Sequence, residues 1–363
     1  MPPAVGLAGD PAHVWRLPAG FPVPRVPADN PMTAAKVALG RHLFYDERLS
    51  GDGDMSCATC HRQELAFTDG RARAVGRTGI EHPRGAMTLT NVAYNASLTW
   101  ARPDLVRLEQ HLAMPLFAVR PIEMGATPRG IERRLERDPE TVRRFRAAFP
   151  RQAWPVRMAN VAKALASFER TLVSGRSPYD RWVFWDESEA LGRAQRRGME
   201  LFFSRRAGCS GCHRGFNLSG PVVFAGSPDE PPVFHNTNLY NVDGGGSYPA
   251  ADPGLIASTG RAEDMGRFRA PTLRNVTRTA PYMHDGSLPT LEAVVEHYAA
   301  GGRARPVGPG RDPRLRALEL SALEKSALVA FLEALTDEEF LTDPRFSDPE
   351  TEARIRSGRR ALP

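Results

Sequence analysis

The chain has 363 residues, of which 41% are hydrophobic and 25% charged, the composition of an ordinary globular protein rather than a disordered or fibrous one. Its net charge of +6 comes almost wholly from scattered arginines with no basic run, which argues against a nucleic-acid arm. No stretch approaches the roughly 18 consecutive apolar residues that a membrane span needs.

Residues 1–30 read as an N-terminal segment. The opening MPPAVGLAGDPAHVW lacks the basic and apolar blocks of an export signal, so any such signal is expected to be removed or to lie outside this sequence. Residues 31–180 read as a first domain, opened by a helix around ALGRHLFYD (Ala38 to Asp46) and followed by SCATCHR, with Cys57, Cys60 and His61. The same order recurs in residues 181–343, where RRGMELFFS (Arg196 to Ser204) precedes GCSGCHR, with Cys209, Cys212 and His213. Gly40, Leu43 and Phe44 match Gly198, Leu201 and Phe202, the mark of a duplicated domain.

Between the two motifs, MANVAKALASFERTLVSG places Val161, Leu165, Phe168 and Leu172 at helical spacing, and turn-rich sequence after Ser174 puts the boundary between Ser177 and Glu189. In LEAVVEHYAAGG, a helix starting at Thr290 turns Leu291, Val294, Val295 and Tyr298 to one face, with Glu292, Glu296 and His297 elsewhere. A last helix is announced by a capping box, Ser321 with Glu324, before Leu323, Ala327, Leu328, Phe331 and Leu335. The arginine-rich tail 344–363 is expected to be only partly ordered. No run alternates apolar and polar residues as a strand does. The fold expected is therefore mainly α: two cytochrome c-like haem domains with long ordered loops.

The four cysteines all fall in the two C-x-x-C-H motifs, leaving none for a disulfide. C-x-x-C-H is the attachment signature of c-type haem: two thiols add to the porphyrin vinyls and the next histidine ligates the iron. A four-cysteine zinc site would not require a histidine after each pair, and a thioredoxin-like dithiol would need a βαβ context that is absent. Two covalently bound c-type haems are expected, with His61 and His213 as iron ligands. Because such attachment takes place outside the cytoplasm, the expected location is the periplasm.

Function then turns on the other side of each iron, since two strong ligands make an electron carrier and an open side admits peroxide. Here the sequence resembles the bacterial dihaem cytochrome c peroxidases and their MauG-like relatives, through LGRHLFYDERLSG, MSCATCHRQELAFTDG, TLTNVAYNASLTW, EQHLAMPLF, PIEMG and FRAPTLRNVTRTAPYMHDGSLPTLEAVVEHYAAGG. The peroxidases carry a methionine ligand for the second haem at a set distance beyond the PYxHDG motif. At that distance this chain has Tyr298, the residue type of the MauG-like branch; Met283 is the alternative ligand.

The resemblance implies Trp100 between the haems and Glu123 as the carboxylate that moves a proton during peroxide cleavage. Either Gln110 or His111 fills the family's glutamine place. It also implies a calcium ion held by the carbonyls of Thr279 and Pro281, with Asn91 the nearest side-chain ligand. Within the MauG-like branch, HRQELAFTDGRA, HNTNLYNVDG and EDMGRFRAPTLRN look most like the MbnH-type enzymes. That likeness implies hydrogen peroxide as oxidant, a high-valent two-haem state, and an MbnP-like periplasmic protein substrate oxidised at a tryptophan. The competing readings are a peroxidase drawing electrons from a small cytochrome or cupredoxin, and a dihaem electron carrier without turnover.

Overall fold

The computed structural model describes residues 13–350, so the start of the N-terminal segment and the end of the tail lie outside the described residues. The entry helix Ala34–Phe44 is capped by Thr33, whose side chain accepts from the Lys36 amide. It crosses the helix Met158–Glu169 at Gly40, where an added Cβ would lie 1.9 Å from the Ala164 carbonyl oxygen. Only a residue without a side chain lets two helix backbones approach so closely. Leu39, Leu43 and Phe44 then bury against Leu165, Phe168 and Leu172.

The second half repeats this crossing. The helix Arg193–Phe203 meets Ala322–Glu333 at Gly198, where an added Cβ would lie 1.8 Å from the Ala327 carbonyl oxygen. Leu201, Phe202, Leu328, Phe331 and Leu335 fill its core. The capping box at Ser321 and Glu324 is present as the sequence suggests.

A second repeated element lies in the loops. Thr88-Leu89-Thr90-Asn91-Val92 matches Thr272-Leu273-Arg274-Asn275-Val276. Asn91 and Asn275 adopt left-handed φ values of 57° and 59°, a conformation asparagine tolerates better than most residues. Their backbone amides donate to Leu172 and Leu335, 2.9 and 3.0 Å away, tying each loop to the end of its own half's crossing helix. Cytochrome c-like halves with this shared framework make the molecule mainly helical, as expected.

Two features cross between the halves. The helix Pro178–Phe184 starts at the Ser177 cap and carries Asp180, which pairs with Arg274 at 2.7 Å with both side chains fully buried. Phe340 and Leu341, on the helix Glu338–Thr342, and Phe346 beyond it return to the first half's core. The antiparallel pair Phe234–His235 and Phe268–Arg269 is the strand structure among the described residues, and its two-residue strands are too short for any alternation to show in sequence.

Candidate haem sites

At the first motif, Cys57–Cys60 forms one helical turn and the chain then folds back, with Arg62 and Thr68 in a β-bridge. This turn carries the Phe67 carbonyl to His61, whose Nδ1–H donates to it at 2.8 Å. At the second motif, Arg214 and Ser219 form the equivalent bridge, and His213 Nδ1–H is shared between the carbonyls of Pro271 at 3.1 Å and Leu218 at 3.3 Å. Committing Nδ1–H to a carbonyl leaves Nε2 with its lone pair outward, which is how proteins prepare histidine for iron. Burial holds both imidazoles neutral, lowering the His61 pKa and bringing that of His213 to about 4.

A largely apolar cavity adjoins Cys209, Cys212 and His213. Leu291, Val294, Val295 and Tyr298 all line it from the helix Leu291–Ala299, the face expected from the sequence. His297, on another face, is not solvated: it is buried, and its Nε2–H donates to the Thr237 carbonyl at 3.1 Å. Burial pushes the Tyr298 pKa up, and among the described residues no hydrogen bond reaches its hydroxyl. Met283 lines the same cavity, from a residue with a left-handed φ of 73°.

Trp100 also lines this cavity, together with Thr68 and Asp69 from the loop after His61. Its indole N–H donates to the Gly85 carbonyl at 3.1 Å, and its own carbonyl accepts from the Arg269 amide at 2.8 Å. It thus stands where the first motif's loop meets the second motif's cavity.

The first motif has different neighbours. Glu123 sits on a loop pressed against Gly76, where an added Cβ would lie 1.9 Å from the Ile122 carbonyl oxygen, and the Arg77 amide donates to the Glu123 carbonyl. Its carboxylate lies 3.8 Å from His82 Nδ1, and burial raises its pKa. Its charge is felt at Cys60, which places it beside the first motif. His111 is held neutral by burial, at a pKa of about 4, with smaller contributions from His61 and Arg269. Gln110 is exposed to solvent instead, so the structure brings His111 and not Gln110 toward the first histidine.

Sequence reasoning missed His82, whose buried Nε2 has no partner among the described residues, and Arg269, which lines the second cavity. It also missed Glu169, a buried acid raised to about 8 by burial, whose charge reaches Cys57. Each is defined by distant chain neighbours, and no local pattern marks it.

Asn91 does not fit the part of a calcium ligand. Asn91 is fully buried, its amide donating to the Ser174 carbonyl and Asn217 Oδ1, both at 3.0 Å, while its Oδ1 accepts from the Ser174 amide at 2.8 Å. Asn275 plays the same part in the other half, accepting from the Asp337 amide and donating to Ser174 Oγ. Asn91 is therefore a structural residue of the duplicated loop, whereas Thr279 and Pro281 line the second cavity. No cluster of three or more His, Cys, Asp or Glu suited to a metal occurs among the described residues.

Free thiols beside a histidine with an outward Nε2, repeated twice and opening in the second half on an apolar cavity, fit haem. The fold and these sites define a two-haem, peroxidase-type oxidoreductase. Residues 34–188 match the family model described as di-haem cytochrome c peroxidase, and residues 267–300 match RoxA-like, cytochrome c-like proteins. The cytochrome-c peroxidase IdrP1 of Denitromonas iodatirespirans is 39% identical over 345 residues, 90% of this chain and 87% of its own. The methylamine utilization protein MauG of Methylorubrum extorquens is 38% identical over 325 residues, 89% of this chain and 84% of its own. A solved MauG-like protein associated with microbial copper homeostasis shares the fold at a TM-score of 0.90 and 44% identity, over 93% of this chain and 100% of its own. The chain belongs to the di-haem cytochrome c peroxidase and MauG family.

Proposed function

We propose that this protein is a periplasmic enzyme of the MauG branch, with two covalent c-type haems, that uses hydrogen peroxide to oxidise a residue, a tryptophan, of a partner protein of MbnP type. The observation that carries the proposal is Tyr298, which shares one cavity with His213 and whose hydroxyl has no protein partner among the described residues. The 44% identity with the MauG-like copper-homeostasis protein supports the same branch. Likeness to proteins named cytochrome-c peroxidase favours the runner-up, a peroxidase that takes electrons from a small cytochrome or cupredoxin.

Bound at Cys57, Cys60 and His61 and at Cys209, Cys212 and His213, haem would supply iron that takes oxidising equivalents from peroxide and stores them. The protein's own residues divide the remaining work. The Phe67 carbonyl at one site, and the Pro271 and Leu218 carbonyls at the other, fix each imidazole with Nε2 free. Glu123 takes a proton from peroxide on a carboxylate oxygen and returns it to the departing oxygen, and a carboxyl whose pKa burial has raised suits both steps. His111, held neutral by burial, offers a hydrogen-bonding side chain without a charge. Trp100 would join the two sites, and Tyr298, ionised on binding the iron, would offer a hard anionic oxygen that favours oxidised iron where methionine would favour reduced iron.

Replacing Tyr298 by phenylalanine tests the proposal. Tyr298→Phe should still consume peroxide while losing both the low-spin ferric signal of the second haem and any change in the partner's mass. If the variant keeps that signal and full partner oxidation, Tyr298 is a packing residue, and the peroxidase reading with Met283 as ligand replaces this one.

A further inference from the structure

Arg269 is only 8% exposed, at the end of the short strand Phe268–Arg269, yet among the described residues no carboxylate pairs with it. Its guanidinium donates to the Thr99 carbonyl over a long 3.4 Å and touches Met87 Sδ at 3.8 Å. Arg274, five residues on, shows the usual arrangement: fully buried, it pairs with Asp180 at 2.7 Å and donates to the Phe216 carbonyl. Burial lowers the Arg269 pKa to about 10, which still leaves it charged at neutral pH. A buried cation without a counter-ion is strongly unfavourable, so the missing anion has to come from whatever fills the space the guanidinium faces. Arg269 lines the cavity that His213, Tyr298, Trp100 and its own contact Met87 also line, and that cavity is the space such an anion would fill.

Haem carries two propionate carboxylates of its own. We infer that Arg269 is the seat of a propionate of the haem held on His213, a role that rests on the haem-site reading above. The bidentate guanidinium suits a carboxylate better than a point charge would. Its position extends the consequence beyond binding: its amide holds the Trp100 carbonyl at 2.8 Å, and its charge reaches His111 near the other histidine. One ion pair would then anchor the second haem's edge, the connecting tryptophan and the electrostatics of the first site together. Neutralising the propionate's negative charge also favours reduced iron, so Arg269 acts as a positioning residue that offsets part of the downward pull of a tyrosine ligand on the potential.

The test uses the full holoprotein and the variants R269Q and R269K. Intact mass comes first, because wild-type protein without two haems would overturn the haem-site reading itself and not this inference alone. With both haems present, R269Q should lower the ferric/ferrous potential of the second haem, whereas R269K, which keeps the charge, should shift it much less. An unchanged second-haem potential in R269Q, or equal shifts in the two variants, overturns the inference. If R269Q does not assemble, R269K decides: a potential close to wild type supports the ion pair, and a clear fall refutes it. A wild-type potential independent of chloride and phosphate concentration supports a resident carboxylate, and one that follows either anion assigns the seat to a solvent ion.

Discussion

The two halves cross their helices in one way, Gly40 under Ala164 and Gly198 under Ala327, and turn their loops on matching asparagines, Asn91 and Asn275. Each also fixes its histidine through Nδ1 to a carbonyl. They diverge on the residues gathered beyond the histidine. The first site collects groups that can hold or pass protons, Glu123, His82 and His111. The second collects mostly apolar side chains, with the phenols of Tyr298 and Tyr282 and the guanidinium-bearing Arg269 among them. Duplication kept what fixes each histidine and left free the residues beyond it; under the proposed function one half would cleave peroxide and the other would store the oxidising equivalents.

The loops diverge at a matching position, where the first half has Thr90 and the second has Arg274. Arg274→Met would leave Asp180 buried and unpaired, and breaking a buried ion pair costs about 3–5 kcal/mol. Urea unfolding should register that loss, and a cost below about 1 kcal/mol would show that the pair is not what couples the helix Pro178–Phe184 to the second half.

The proton-handling side gives the next effect. Glu123→Gln should slow peroxide activation by about 10², while the resting ferric spectrum stays as in wild type. The pH dependence has a definite sign. Glu123 acts as a base only when ionised, so the wild-type rate should fall as pH drops through a pKa that burial sets above the usual carboxylate range. Stopped-flow rates across pH should show that acidic limb in wild type and lose it in Glu123→Gln. A wild-type limb at an ordinary carboxylate pKa would place Glu123 in solvent.

The shared framework gives the smallest effect. Gly40→Ala and Gly198→Ala each force a methyl group against a backbone carbonyl and should cost about 1–3 kcal/mol in denaturant unfolding. Similar losses would mark the crossings as equivalent. A large cost at one and none at the other would break the symmetry.

Much of the framework was legible because it depends on local or repeated features. The C-x-x-C-H motifs are set by chemistry, the paired glycines by a close helix crossing, and the inward turn of Tyr298 by helical period alone. The repeat of TLTNV in TLRNV is also visible in the sequence, although the structural part of Asn91 and Asn275 shows only in the fold. Arg269 and His82 could not be read, because a buried guanidinium or an unpartnered imidazole nitrogen is defined by residues far along the chain. The same holds for Asp180 with Arg274, and for Phe340 returning to the first core. Gln110 and His111 are adjacent, and only the packing of the short helix Leu108–His111 separates an exposed side chain from one directed toward His61.

In the proposed function the two sites differ in coordination, the first open and the second closed by Tyr298. Electron paramagnetic resonance of the ferric holoprotein tests it most directly. One high-spin signal from the haem on His61 and one low-spin signal, with an oxygen ligand, from the haem on His213 are expected. Two low-spin signals would contradict it, since both irons would then carry two strong ligands and the protein would be built to carry electrons rather than to activate peroxide.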